Sequence, residues 1–213
     1  MLKEIEEIEK QYGHGSLAKS IPTARIFEVF SSTHSIGKTA LALYKTAIVQ
    51  RKGGIVLYID ADNTLNYDYV KNMGVDTKEL FVSLENNAID ICNLIEDLVK
   101  ENKISLIIVD TITALMFHNK FGEGFTRLVG LIIKSNVDVF FLHQKRWKYE
   151  NRSNLRTLIQ VYIEREKTNK TLDGKVIGYT NIVTVHKNSL LLQKYLFDVK
   201  QINKKFHISI KNF

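Results

Sequence analysis

The chain has few of the residues that crosslink or kink a polypeptide. Its 213 residues include one cysteine, Cys92, and one proline, Pro22. A single cysteine excludes a disulfide within the chain, and Cys92 lies in an apolar helical pattern, so we expect it to pack in a core. No apolar run reaches the roughly 20 residues of a membrane span. The acidic start, residues 4–9, is unlike a signal peptide. These absences predict a cytoplasmic protein that does not enter a membrane.

Composition and charge narrow the class of protein further. Hydrophobic residues make up 45% of the chain, which is enough for one sizeable core and too little for two typical domains. The net charge of +7 is uneven: residues 1–100 hold 11 Lys and Arg against 14 Asp and Glu, whereas residues 101–213 hold 19 against 9. This asymmetry favours contact with a polyanion such as nucleic acid, although a genome rich in Lys and Asn codons would give a similar balance.

A phosphate-binding loop is the strongest motif. Residues 32–39 read Ser-Thr-His-Ser-Ile-Gly-Lys-Thr, between an apolar run and a helix-like segment, and match the P-loop pattern G-x-x-x-x-G-K-[ST] except that Ser32 replaces the first glycine. In a P-loop, backbone N–H groups surround phosphate oxygens, the lysine reaches the β- and γ-phosphates, and the threonine binds Mg²⁺. A chance turn before a helix is the alternative. The predicted nucleotide contacts are Ser35, Ile36, Gly37, Lys38, Thr39 and Ala40.

Carboxylates follow two apolar, strand-like runs. Asp110 ends the run from Ile104, and Asp60 and Asp62 follow the run 55–59. Ligands of open α/β sheets bind beyond the carboxyl ends of the strands, so we expect these side chains near the P-loop. Asp110 is the predicted metal residue together with Thr39, acting on the Mg²⁺ shell through water or through Thr39. The alternative is that Asp110 caps the following helix.

The order of patterns predicts an α/β fold with a mostly parallel twisted sheet, helices on both faces and antiparallel hairpins at the carboxy-terminal end. Helices are expected at residues 2–12, 40–50, 67–73, 88–101 and 124–134. Strands are expected at residues 26–30, 55–59, 80–84, 104–110 and 137–142, and then at 158–166, 176–186, 195–199 and 206–210.

Much of the chain also resembles bacterial RecA. The resemblance follows the order of the sequence through residues 8–16, 28–43, 53–62, 74–76, 106–115, 135–146 and 185–188. It implies a RecA-like P-loop NTPase core over residues 21–213, preceded by an amino-terminal helix and oligomerisation segment at residues 1–20.

The resemblance also implies an activity: an ATP-dependent recombinase that forms an oligomer or filament on single-stranded DNA, with ATP and Mg²⁺ as cofactors. Lys38 and Thr39 then hold phosphate and Mg²⁺, with Asp110 as the second metal residue. Asp62 stands where the family has the glutamate that activates the attacking water. Gln144 matches the glutamine that senses the γ-phosphate, and Lys187 matches a lysine that reaches the phosphates of the neighbouring subunit. Another recombination protein is a further candidate partner.

Three departures from the family pattern point to slow or absent hydrolysis. Ser32 replaces a P-loop glycine, Asp62 is one methylene shorter than glutamate, and Ser189 replaces a second lysine that acts on the neighbour. A base must lie within about 2.6–3.2 Å of its water or act through another water. An accessory or regulatory protein that binds nucleotide but hydrolyses little ATP is therefore the alternative function, and a ring-forming motor is a third.

A basic segment directly follows Gln144. Residues 145–156 combine five basic residues with two aromatic ones and one acid, and they stand where RecA has its second DNA-binding loop. Positive charge attracts the backbone of single-stranded nucleic acid, and aromatic rings stack on its bases. A solvated charged loop with its rings packed on the core is the alternative. The predicted DNA contacts are Lys145, Arg146, Trp147, Lys148, Tyr149, Arg152 and Arg156.

Overall fold

A computed structural model describes residues 25–31, 37–112, 121–143, 158–171, 174–187, 190–202 and 205–212. Within these ranges the chain forms four helices and nine strands. Several predictions concern residues outside them: the amino-terminal helix, Ser35 and Ile36 of the P-loop, Gln144, and the basic segment 145–156.

The helices are α1 (Lys38–Arg51), α2 (Tyr67–Asn72), α3 (Ala88–Glu101) and α4 (Phe121–Ile133). Asparagine side chains cap two of them. Asn66 accepts a hydrogen bond from the Tyr69 N–H at the start of α2, and Asn87 accepts from the first turn of α3. Such caps satisfy N–H groups that have no partner within the helix. No side-chain cap is found for α1 in the described part of the chain.

The strands are β1 (Ile26–Ser31), β2 (Val56–Asp60), β3 (Leu80–Ser83), β4 (Leu106–Asp110), β5 (Asp138–Leu142), β6 (Leu158–Lys170), β7 (Val176–Lys187), β8 (Leu190–Ile202) and β9 (Lys205–Asn212). They form one sheet in the order β3-β2-β4-β5-β1-β6-β7-β8-β9. All pairs from β3 to β6 are parallel, and the pairs from β6 to β9 are antiparallel. The predicted α/β class is confirmed.

The carboxy-terminal strands differ from the prediction in two ways. First, β6 belongs to both parts of the sheet, because it pairs in parallel with β1 and antiparallel with β7. Second, β8 extends well beyond the predicted residues 195–199. That prediction relied on apolar alternation, which is interrupted by Lys194 and Lys200. Both lysines lie opposite residues of β7, so backbone pairing continues where the apolar pattern stops.

Apolar side chains form a core on each face of the sheet. One cluster joins α1 and α2 to the sheet and continues under the antiparallel strands through Tyr195 and Phe197. The other joins α3 and α4 to the central strands and includes Cys92, which confirms that this cysteine packs in the core. Burial raises the pKa of Cys92 to about 11, so it is a thiol at neutral pH. Among the described helices, none has both the length and the apolar character needed to cross a membrane.

Candidate nucleotide-binding site

The P-loop glycine introduces helix α1 at the carboxyl edge of the sheet. Gly37 has φ 96° and ψ 16°, a backbone conformation that favours glycine, and its carbonyl accepts the Leu41 N–H at 2.9 Å as the first bond of the helix. A Cβ at this position would also lie 3.1 Å from Asn181 Nδ2, on β7. The positive end of the α1 dipole lies here, at the carboxyl edge of the sheet, a position that favours an anion.

Lys38 is buried at the base of this site. Its Nζ donates a 2.6 Å hydrogen bond to Ser31 Oγ, at the end of β1. Burial lowers the pKa of Lys38, and the charge of the Asp110 carboxylate opposes this effect. The P-loop lysine is thus held between the end of the strand before the loop and the acidic end of β4.

Asp110 receives two hydroxyl groups on the same oxygen. Thr39 Oγ1 donates to Asp110 Oδ2 at 2.9 Å, and the Tyr58 hydroxyl donates to it at 2.5 Å. Burial raises the pKa of Asp110, the two hydrogen bonds oppose this, and the negative charges of Asp60 and Asp62 add to the increase. The hydrogen bond from Thr39 places this buried carboxylate beside the threonine of the P-loop. The peptide bond between Asp110 and Thr111 is cis.

The other two carboxylates lie at the same edge and are already engaged. Asp60 is opposite Asp110 in the sheet, and its side chain accepts the backbone N–H groups of Thr64 and Leu65 at 3.0 and 2.8 Å. This interaction shapes the turn after β2. Asp62 Oδ2 accepts a 3.1 Å hydrogen bond from Thr111 Oγ1. Asp60 is thus built into a turn, whereas Asp62 borders the site.

The donors suit Mg²⁺ held partly by a nucleotide. Thr39 and Asp110 offer hard oxygen ligands, which Mg²⁺ prefers, and Mg²⁺ commonly binds one or two such groups together with phosphates and water. Within the described ranges, no group of three or more His, Cys, Asp or Glu side chains could hold a metal by itself. The arrangement suits a metal that arrives with phosphate.

Comparison with known proteins identifies the family. The family model of the RecA N-terminal domain matches residues 18–131, from before β1 into α4. This chain belongs to the RecA family. The Protein RecA of Mycoplasma mycoides subsp. mycoides SC is 33% identical over 190 residues, covering 69% of this chain and 55% of that protein. The Protein RecA of Leptospira meyeri is 31% identical over 185 residues, covering 67% and 48%, and that of Mesoplasma florum is 36% identical over 143 residues, covering 60% and 43%.

This RecA-family chain spans about half the length of the curated relatives it matches. The region that the family model matches includes the P-loop and the strand that ends in Asp110. This match ends at residue 131, before β5 begins, so Gln144 and Lys187 lie outside it. The family assignment is therefore anchored in the part of the chain that carries the candidate nucleotide site.

The structure brings together part of the predicted site. Gly37, Lys38, Thr39 and Ala40 begin α1, and Lys38 and Thr39 lie close to Asp110. Asp62 lies beside Thr111, directly after Asp110 in the chain. Lys187 is the last residue of β7. Ser35, Ile36, Gln144 and the seven predicted DNA contacts lie outside the described residues.

Three contributors to the site were not predicted from sequence. Ser31 accepts a hydrogen bond from Lys38, Tyr58 donates one to Asp110, and Asn181 of β7 lies beside the point that a Cβ at Gly37 would occupy. Tyr58 gave a usable signal, because a tyrosine within an apolar parallel strand needs a partner for its hydroxyl. Asn181 gave none, since its position depends on the antiparallel pairing of β7 with β6 in the same sheet.

Proposed function

We propose that this chain is the ATP-binding core of a recombinase of the RecA type, which binds single-stranded DNA as an oligomer and promotes strand pairing. The observation that carries the proposal is the hydrogen bond between Thr39 Oγ1 and Asp110 Oδ2, with Lys38 held at the same edge of the sheet. Two separate motifs, 71 residues apart in sequence, meet there. A chance turn before a helix gives no reason for this meeting.

Each group has a distinct task in this proposal. The N–H groups at the start of α1 bind phosphate oxygens, and the Lys38 ammonium neutralises the β- and γ-phosphates. Thr39 and Asp110 hold Mg²⁺, which when bound neutralises charge on the phosphate oxygens. Asp62 orients the attacking water. We infer that Gln144 senses the γ-phosphate and that Lys187 reaches the nucleotide of a neighbouring copy.

The connection of the strands supports a link between nucleotide and DNA. The basic segment 145–156 leaves β5 and returns to β6, and these two strands flank β1, which leads into the P-loop. Because β1 and β5 are parallel, the loop after β1 and the start of the basic segment leave the same edge of the sheet, whereas β6 begins beside Ile26, at the other end of β1. We infer that Lys145, Arg146, Trp147, Lys148, Tyr149, Arg152 and Arg156 bind the DNA.

A second candidate function is a nucleotide-binding regulator with little hydrolysis. The hydrogen bond between Asp62 and Thr111 favours it, because this carboxylate is already engaged at 3.1 Å and is shorter than the family's glutamate. In this case ATP acts as a switch ligand, and the protein works by binding DNA or another recombination protein.

The deciding experiment is ATP hydrolysis with and without single-stranded DNA, at low and moderate salt. Lys38→Ala tests the site, and Lys52→Ala, an exposed lysine at the end of the same helix, is the matched control. Hydrolysis that DNA stimulates, that Lys38→Ala abolishes and that Lys52→Ala retains supports the recombinase. DNA binding without hydrolysis supports the regulator. Nucleotide binding that Lys38→Ala leaves intact would refute both.

The DNA contacts need their own test. Replacing Arg152 and Arg156 with alanine should weaken single-stranded DNA binding and reduce its dependence on salt, since each lost phosphate contact lowers the salt slope by about 0.7. Replacing the exposed Lys170 and Lys200 is the matched control. Equal losses in the two pairs would show that overall charge, and not this segment, attracts the DNA.

We also propose that residues 1–20 form the oligomerisation segment ahead of a core at residues 21–213. Ile5 and Ile8 alternate with glutamates there, a pattern that fits a helix packed on a neighbouring copy. Ile5→Lys with Ile8→Lys should lower the sedimentation coefficient, whereas an unchanged value would contradict this role. We place the activity in the cytoplasm, where an unpaired cysteine remains a thiol.

A further inference from the structure

Tyr58 is completely buried in β2, yet its hydroxyl ends at the candidate metal site. It lies opposite Ile108 of β4, so Asp110 is two residues further along on the same face of the sheet. Only a long side chain spans this diagonal. The phenol spans it and donates to Asp110 Oδ2, the oxygen that also accepts the Thr39 hydroxyl.

This double hydrogen bond makes the two oxygens of Asp110 unequal. Oδ2 has two hydroxyl donors, whereas Oδ1 accepts no hydrogen bond within the described part of the chain. A carboxylate held at one oxygen by two donors cannot rotate without breaking at least one of them. Thr39 uses its proton in this contact, which leaves the lone pairs of its oxygen for a cation.

We propose that Tyr58 is a positioning residue that fixes the Asp110 carboxylate, so that Oδ1 faces the water shell of a divalent cation bound with nucleotide. The inference rests on the proposed nucleotide site and adds to it a residue outside the motif. Tyr58 touches neither nucleotide nor metal and acts only through Asp110. Without its hydroxyl, Asp110 is free to turn toward the nearby Lys38 ammonium, which attracts it.

The test is the Mg²⁺ dependence of nucleotide binding by Tyr58→Phe, measured with the full chain and the fluorescent nucleotide mant-ADP. Phenylalanine keeps the ring, so the core loses little more than a hydroxyl group. We expect the Mg²⁺ concentration for half-maximal binding to rise about tenfold, the effect of losing a hydrogen bond to a charged group. Binding in EDTA should stay at the wild-type level, because Tyr58 does not contact the nucleotide.

Tyr67→Phe is the matched control. Tyr67 is exposed at the start of α2, and its hydroxyl pairs with Thr77 Oγ1, which lies after the helix. This variant also removes one hydroxyl, and it should titrate like the wild type. Asp110→Asn provides a second control. If Tyr58 acts through Asp110, adding Tyr58→Phe to Asp110→Asn should have no further effect on the Mg²⁺ dependence.

Three results would overturn the inference: a Tyr58→Phe titration that matches the wild type, an equal loss of binding with Mg²⁺ and with EDTA, or a variant that does not fold, since the last two assign Tyr58 to the core alone. A failure of the proposed function looks different. In that case the wild-type chain binds no mant-ADP, or Lys38→Ala binds it as well as the wild type does, and the role of Tyr58 falls with the site.

Discussion

Gly37 permits a test that separates backbone strain from crowding. Its φ of 96° costs an alanine about 1–2 kcal/mol, and the lower entropy of the unfolded alanine chain returns about 0.4–1 kcal/mol. The Cβ would also press on Asn181 Nδ2 at 3.1 Å, which adds about 1–2 kcal/mol for overpacking. Gly37→Ala should therefore destabilise the fold by about 2–3 kcal/mol.

Two further variants separate these contributions. Gly74 has a φ of 84°, and no atom lies within 4 Å of the point that a Cβ would occupy there, so Gly74→Ala should show only the backbone cost, about 1 kcal/mol. Asn181→Ala removes the atom that Gly37→Ala would meet. In that background Gly37→Ala should also cost about 1 kcal/mol, because the crowding is gone.

The assay is urea unfolding of each variant at one fixed protein concentration, since any assembly would make the midpoint concentration-dependent. An equal cost of Gly37→Ala with and without Asn181 would rule out crowding. Neutral effects of both Gly37→Ala and Gly74→Ala would rule out the cost of the backbone conformation. Either result would show that the loop before α1 relaxes more easily than its contacts indicate.

Three more changes test other parts of the molecule. Gly130 is exposed on α4, and no atom lies near the point that a Cβ would occupy there. Gly130→Ala should therefore stabilise the chain to urea by about 1 kcal/mol. A loss of stability would show that α4 is not a regular helix at this residue. Gly178→Ala should cost about 3 kcal/mol or more in the same assay, because the added Cβ on β7 would overlap the Val199 carbonyl oxygen on β8. A neutral result would contradict the register between β7 and β8. Asp110→Asn should raise the Mg²⁺ concentration needed for nucleotide binding yet increase stability at pH 7 by about 1 kcal/mol. Burial raises the pKa of Asp110, so the folded wild type binds the carboxyl proton more tightly than the unfolded chain and loses stability as the pH rises. The gain in thermal stability of Asp110→Asn over the wild type should therefore shrink toward pH 4. A gain that is constant with pH would refute this cause.

The sequence patterns predicted most of the fold because they report local structure directly. Apolar runs such as residues 106–109 are buried on both faces of a parallel sheet, and polar turns separate them. The ends of β8 were missed because long-range pairing, not alternation, extends that strand through Lys194 and Lys200. The local pattern of apolar residues thus locates helices and strands well. Where a strand ends, however, depends on the strand it pairs with, which the local pattern does not reveal.

The residues of the candidate site likewise fall into those that a local pattern identifies and those that it does not. Lys38, Thr39 and Asp110 could be proposed from sequence because a motif and a strand end each identify their own residues. For Tyr58 the sequence indicates only that the hydroxyl needs a partner, and for Ser31 it indicates nothing. The partners are a lysine seven residues after Ser31 and a carboxylate 52 residues after Tyr58, each on another element. Contacts between distant parts of the chain depend on which strands lie side by side in the sheet.

Under the proposed function, these contacts set an expected order in which the groups of the site engage nucleotide. Lys38 is bonded to Ser31, Asp110 to Thr39 and Tyr58, and Asp62 to Thr111, so the charged side chains of the candidate site already have partners within the protein. The start of α1, where the helix dipole favours an anion, lies at the same edge of the sheet. We therefore expect phosphate to engage the start of α1 first. We then expect Lys38 and Thr39 to share or exchange their protein partners, an exchange that Ser31 and Tyr58 would control.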